Sequence, residues 1–126
     1  MSTLTFPNTR INEFEEFQFI GGSYKELTFY VNNSSGSPID ISYMTANWTL
    51  SPYNFTDYIS LSKTGICYNG VFTIQLMKDD TKNLSGKYIQ RAFLTGVPNY
   101  EQRIGQGIVY IIAGIGMDNY VWTICV

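Results

Sequence analysis

From Lys25 to Asn32 apolar and polar residues alternate, with Leu27, Phe29 and Val31 on one face and Thr28 and Tyr30 on the other. A period of two residues is the signature of a half-buried strand. Met44 to Leu50 repeats it: Met44, Ala46, Trp48 and Leu50 share a face, and Thr45, Asn47 and Thr49 take the opposite one. Phe72, Ile74 and Leu76 share a face within Val71 to Leu76. Asn69-Gly70 separates that run from Ile66-Cys67-Tyr68, and Asn-Gly is a strong two-residue hairpin signal. Further strands are predicted at Phe14 to Ile20, Tyr58 to Leu61, Lys87 to Thr95, Arg103 to Ala113 and Tyr120 to Val126. Gly21-Gly22-Ser23, Asn32 to Ser37, Ser51 to Asn54, Gly65 and Gly96 to Asn99 punctuate them as turns. No segment sustains a helical period. The charged run Lys78 to Asn83 predicts one helical turn capped by Asp79 or Asp80.

Leu84-Ser85-Gly86-Lys87-Tyr88 reads as a tight corner leading into a central strand. The spacing fits a corner whose Tyr88 hydroxyl bonds back to main chain just upstream while its ring enters the core, as in immunoglobulin-like sandwiches. Gly86 supplies the turn and Trp48 is the candidate core tryptophan. Gly105 and Gly107 predict a bulge or a close backbone approach. The expected fold is therefore all-β: a single Ig-like β-sandwich of eight or nine short antiparallel strands. Residues 1–12 carry Pro7, Asn8 and Asn12 with little periodicity, and read as an extended N-terminal arm before a sandwich spanning 13–126.

The chain has 126 residues, one domain by size, and a domain this long buries roughly two-thirds of its unfolded surface. Charged residues make up only 14% of it, against about 25% in an ordinary soluble domain, while there are ten Tyr and eight Phe. Two readings stand side by side: an AT-rich genome combined with a β-rich fold, or a surface largely covered by neighbours, since interfaces favour aromatics and deplete Lys and Glu. Net charge is −2, and no cluster of Lys and Arg forms a basic face. Neither nucleic-acid binding nor docking to an anionic membrane is expected. Met1 to Pro7 has no basic n-region and no apolar h-region, so no secretory signal is expected. With no export signal, Cys67 and Cys125 are expected as thiols rather than as a disulfide.

Histidine is absent, which removes Ser-His and Cys-His nucleophilic catalysis. The two cysteines have no CxxC spacing, and Gly105-x-Gly107 does not continue into a phosphate-binding loop. Glu13, Glu15 and Glu16 read as a solvated edge, with metal ligation the lesser alternative. Asp79 and Asp80 read as solvated turn charges, against a Ca²⁺ site or the carboxylate pair of a small hydrolase. No cofactor, metal or catalytic group is assigned. Tyr53, Phe55 and Tyr58 lie close together on or beside one loop, and with Tyr100 they offer large, rigid contact area for a subunit or a sugar. The apolar end around Trp122 and the N-terminal arm would be liabilities on a free monomer and read as further contact segments.

Ser35-Gly36-Ser37-Pro38-Ile39-Asp40-Ile41-Ser42 followed by Thr45-Ala46-Asn47-Trp48-Thr49-Leu50 resembles a recurring element of small phage virion β-sandwich domains. Asp79-Asp80-Thr81-x-x-Leu84-x-Gly86-x-Tyr88 is similar to their corner, and the resemblance covers roughly residues 14 to 113. Such domains occur in head-decoration and neck proteins and at the N-terminus of upper baseplate proteins. With no helical or receptor-binding part in this chain, the resemblance implies a stand-alone decoration, neck or connector protein, made in the host cytoplasm and assembled into the virion. It implies a non-enzymatic protein, present in several copies, whose partners are capsid or tail subunits. The alternative is a carbohydrate-binding module that stacks Tyr53, Phe55, Tyr58 and Tyr100 on sugars.

Overall fold

The computed structural model describes residues 12–22, 24–96, 101–113 and 118–125. Along the chain these form β1 (Asn12–Gly21), β2 (Lys25–Asn32), β3 (Thr45–Pro52), β4 (Leu61–Tyr68) and β5 (Val71–Leu76). A helical turn α1 (Lys78–Thr81) precedes β6 (Gly86–Thr95), β7 (Glu101–Ala113) and β8 (Asp118–Cys125). The fold is all-β. One mixed sheet carries the strands in the order β1-β7-β6-β3-β4-β5-β2-β8 and nearly closes on itself.

The bend that brings the two halves together lies in β4. Leu61 to Gly65 pair with β3, and Ile66 to Tyr68 pair with β5. Gly65 stands where the strand changes partner. A Cβ there would lie 2.8 Å from Ile74 Cδ1 and 2.9 Å from the Thr73 carbonyl oxygen, so the close approach needs glycine. This corrects the expectation of a short Tyr58–Leu61 strand with a turn at Gly65 beyond it: the strand starts at Leu61 and runs through the glycine. The ends of the sheet meet through side chains. Asn12 donates from Nδ2 to the Cys125 carbonyl at 3.0 Å and accepts the Cys125 amide at 3.3 Å, so one side-chain amide stands in for a peptide group. Residues 1–11 of the expected arm lie outside the described residues, and Asn12 belongs to β1.

Strand directions depart from the antiparallel expectation. β1 runs parallel to β7 and β2 parallel to β8, while the other pairings are antiparallel. Alternation identifies a strand and its inner face but carries no direction; direction follows from how long connections return the chain. Both parallel pairs join strands far apart in sequence.

The core is built from the predicted inner faces. Leu27, Phe29 and Val31 of β2, Ala46, Trp48 and Leu50 of β3, and Phe72, Ile74 and Leu76 of β5 are fully buried. They meet Ala92 and Leu94 of β6, Ile104 and Val109 of β7, and Phe19 of β1. Phe29 stacks between Phe72 and Trp122, with ring centroids 4.7 Å away on each side. Gly105 and Gly107 form a flat floor for Phe14, because a Cβ on Gly105 would lie 2.4 Å from Phe14 Cζ and one on Gly107 2.7 Å from Phe14 Cβ.

The corner before β6 forms, but not in the predicted way. Gly86 takes φ +105°, a backbone conformation L-residues avoid. The Tyr88 ring is buried, yet among the described residues no hydrogen bond joins its hydroxyl to the upstream chain. Main chain closes the turn instead, with the Leu84 amide donating to the Thr81 carbonyl at 3.0 Å. The helical turn is likewise capped differently from the prediction. Met77 takes the N-cap position, and Asp80 reaches back from the third helical position to accept the Met77 amide at 2.7 Å. The Asn69-Gly70 hairpin forms with Asn69 at φ 52°, while Gly70 is needed for space, since a Cβ there would lie 2.9 Å from Pro38 Cβ.

Candidate functional site

The loop after β3 gathers three of the predicted contact residues. It is held at both ends and in the middle. The Tyr53 amide donates to the Lys87 carbonyl at 3.0 Å, and the Ser60 amide to the Leu50 carbonyl at 2.8 Å. Arg91, on β6, donates from a guanidinium nitrogen to the Thr56 carbonyl at 3.1 Å. Two successive tight turns, Pro52 to Phe55 and Phe55 to Tyr58, push the side chains outward. Phe55 is 65% exposed, and Tyr53, Tyr58 and Ile59 are exposed beside it. The Phe55 and Tyr58 rings touch in a tilted arrangement at 6.4 Å. Large apolar groups with this exposure, on a backbone fixed by hydrogen bonds, lose little freedom when a partner covers them.

Next to the loop the sheet register builds a strip that the sequence pattern did not show. Lys87 on β6 pairs with Tyr110 on β7. The Lys87 ammonium sits 3.8 Å from the centre of the Tyr53 ring and 5.9 Å from that of Tyr110. The Glu16 carboxylate, one strand further on, accepts a hydrogen bond from the Tyr110 hydroxyl and holds that phenol above its ordinary pKa, with Lys87 opposing. Residues separated by 94 positions, Glu16 and Tyr110, are thus neighbours only because β1 pairs with β7.

Trp122 lies elsewhere. It is half-buried on β8, stacked on Phe29 and 5.7 Å from the Phe14 ring. Its remaining surface lines an open groove of about 490 Å³ along the seam between β1 and β8, floored by Phe14 and edged by Glu13, Glu15 and Glu16. Glu15 and Glu16 lie in the stretch between Phe14 and Phe17 where the β1–β7 register shifts. The structure does not place Trp122 beside Tyr53, Phe55 and Tyr58, and Tyr100 lies outside the described residues. Of the residues assigned to the framework, Trp48 is fully buried and donates its indole N–H to Gln90 Oε1 at 2.8 Å. Gly86 and Tyr88 form the corner described above.

Of the carboxylates weighed as chemistry, Asp79 and Asp80 are engaged in ion pairs. Asp80 pairs with Lys63 at 3.1 Å and Asp79 with Lys82 at 3.3 Å. Asp40 accepts the Ser42 amide at 3.0 Å and its hydroxyl at 2.6 Å, bonds that hold its carboxyl below the usual value. Among the described residues no three His, Cys, Asp or Glu side chains gather as a metal site. Lys25 is fully buried, with its ammonium donating to the Ile20 carbonyl and lying over the Phe19 ring. Its place in an alternating strand gives no hint of this, since a lysine ordinarily stays in water. No protein-family model matches the chain, and comparison with curated proteins finds no match.

Proposed function

We propose that this chain is a non-enzymatic structural protein of a phage virion, an Ig-like domain in a decoration, neck or connector role. It docks on capsid or tail subunits through the loop after β3. The observation that carries this reading is the pinned loop with Tyr53, Phe55, Tyr58 and Ile59 turned to solvent. Aromatics of this kind are the residues that fill partner pockets at interfaces, and a rigid presentation limits the entropy lost on binding. The low charge of the chain and the absence of histidine support the same reading, as does the resemblance of residues 35–50 and 79–88 to small virion β-sandwich domains. The test uses phage particles assembled without this chain. Purified protein added back should join them, and a Phe55→Ala/Tyr58→Ala variant of unchanged melting temperature should not. Failure of the wild type to join particles overturns the virion role; equal joining by both overturns the role of the loop.

A second reading, sugar binding at a host surface, is favoured by the groove between β1 and β8. There an aromatic floor of Phe14 and Trp122 lies beside hydrogen-bond-accepting carboxylates, the combination that suits a pyranose ring and its hydroxyls. Quenching of Trp122 fluorescence by an array-selected glycan supports it, and an array without hits removes it.

A further inference from the structure

The outer face of the β4-β5-β2-β8 half of the sheet has a composition that the docking loop does not explain. Register places side chains there in rows across four strands. One row is Tyr68, Val71, Tyr30 and Thr123; the next is Ile66, Thr73, Thr28 and Val121. Tyr68 is 73% exposed, Ile66 70%, Val121 61% and Tyr30 43%. Across the described outward positions of these strands the single charged residue is Glu26, at one end of β2. The four exposed apolar side chains present on the order of 500 Å², near the upper limit for a patch on an ordinary monomer. With the uncharged residues between them the face approaches the roughly 800 Å² per partner of a standard interface.

We infer that this face is a homodimer interface, on which a second copy of this chain packs sheet against sheet. The face suits a copy of itself. A twofold interface sets one patch against itself, so any charge on it meets its own kind unless the geometry separates the two. This face has almost no charge to separate. A twofold axis lying between the sheets and running across the strands reverses strand direction. It sets the Glu26 end of one copy against the Asn32–Cys125 end of the other, away from the second Glu26. The same operation lays one copy's tyrosine row over the other's second row. Tyr30 then covers Thr28, Tyr68 covers Ile66, and Val121 covers Thr123. Large side chains thus face smaller ones, as interdigitating sheets about 10 Å apart require. The pairing uses neither the loop after β3 nor its partners, so it stands or falls separately from the virion reading.

The test is sedimentation equilibrium on the whole chain with charge-introducing variants at these outward positions. Wild type should be a dimer. Ile66→Lys and Tyr68→Glu should each raise the dimer dissociation constant by at least about tenfold, because each alters the Ile66–Tyr68 contact at both of its symmetric occurrences. Mixed in equal amounts, the two variants should form a heterodimer, because the introduced lysine of one copy then lies on the introduced glutamate of the other. If either variant loses its fold by circular dichroism, Val121→Lys and Thr123→Glu supply the same test on β8. A wild-type monomer at about 100 μM, dimers indifferent to the substitutions, or folded variants that stay apart when mixed each overturn the proposal.

Discussion

Trp48 donates its indole N–H to Gln90 Oε1 at 2.8 Å, and both side chains are fully buried at the centre of the sheet. The amide is only partly satisfied, since Gln90 Nε2 has no partner among the described residues. Gln90→Met removes that orphan donor but strands the indole N–H, and should destabilise the chain by about 1–2 kcal/mol in urea unfolding. Trp48→Phe combined with Gln90→Met should cost less than the sum of the two single changes, because the second substitution has no bond left to break.

The buried ring of Tyr88 contributes by packing and not through its hydroxyl. Tyr88→Phe should therefore change stability by less than about 0.5 kcal/mol, whereas a corner closed by that hydroxyl would lose about 1 kcal/mol. Comparing urea midpoints of the two proteins decides it.

Phe14 and Gly105 fit each other. Gly105→Ala places a methyl where Phe14 Cζ lies 2.4 Å away, so the ring or strand β1 must shift. A loss of about 1–3 kcal/mol is expected. Phe14→Leu should recover part of it in the double variant, although it is mildly destabilising alone.

Burial raises the Cys67 thiol above its ordinary pKa, with a backbone hydrogen bond to Ala46 opposing. The unfolded chain then releases the proton first. This contribution to stability is whole below the ordinary thiol value of about 8.5 and is lost as pH rises through the higher folded value. Wild type should lose more stability than Cys67→Val between about pH 7.5 and 10. Cys125, which is exposed, should react with a thiol reagent well before the half-buried Cys67.

Asp40 shows the opposite sign. The Ser42 hydroxyl and amide hold its carboxyl below the usual value, and Ser42 Oγ in turn accepts the Asn69 amide at 2.9 Å at the hairpin. Its contribution is present above the ordinary value of about 3.9 and is lost as pH falls through the lowered one. Asp40→Asn should flatten the acid limb of the stability profile, and an NMR titration of the Asp40 carboxyl should give a midpoint below that of a free aspartate.

The alternation of Leu27, Phe29 and Val31, of Ala46, Trp48 and Leu50, and of Phe72, Ile74 and Leu76 determines by itself that these are strands, and which side of each faces inward. Apolar area must leave water, and a pleated strand has only two faces. The exposed loop was legible at Tyr53 and Phe55, because Pro52 and Asn54 end the strand before them, whereas Tyr58, expected to open a strand, is part of the loop as well. Which strands neighbour one another, and in which direction, was decided only in three dimensions. β1 beside β7 brings Glu16 to Tyr110, and β8 beside β2 completes the uncharged rows of the outer face. Gly65 reads as a stop in the chain and serves as a bend in the sheet, because what it needs room for, Ile74 and Thr73, arrives from another strand. A residue's own period reports its burial; its partners depend on contacts between segments far apart, and no local pattern encodes those.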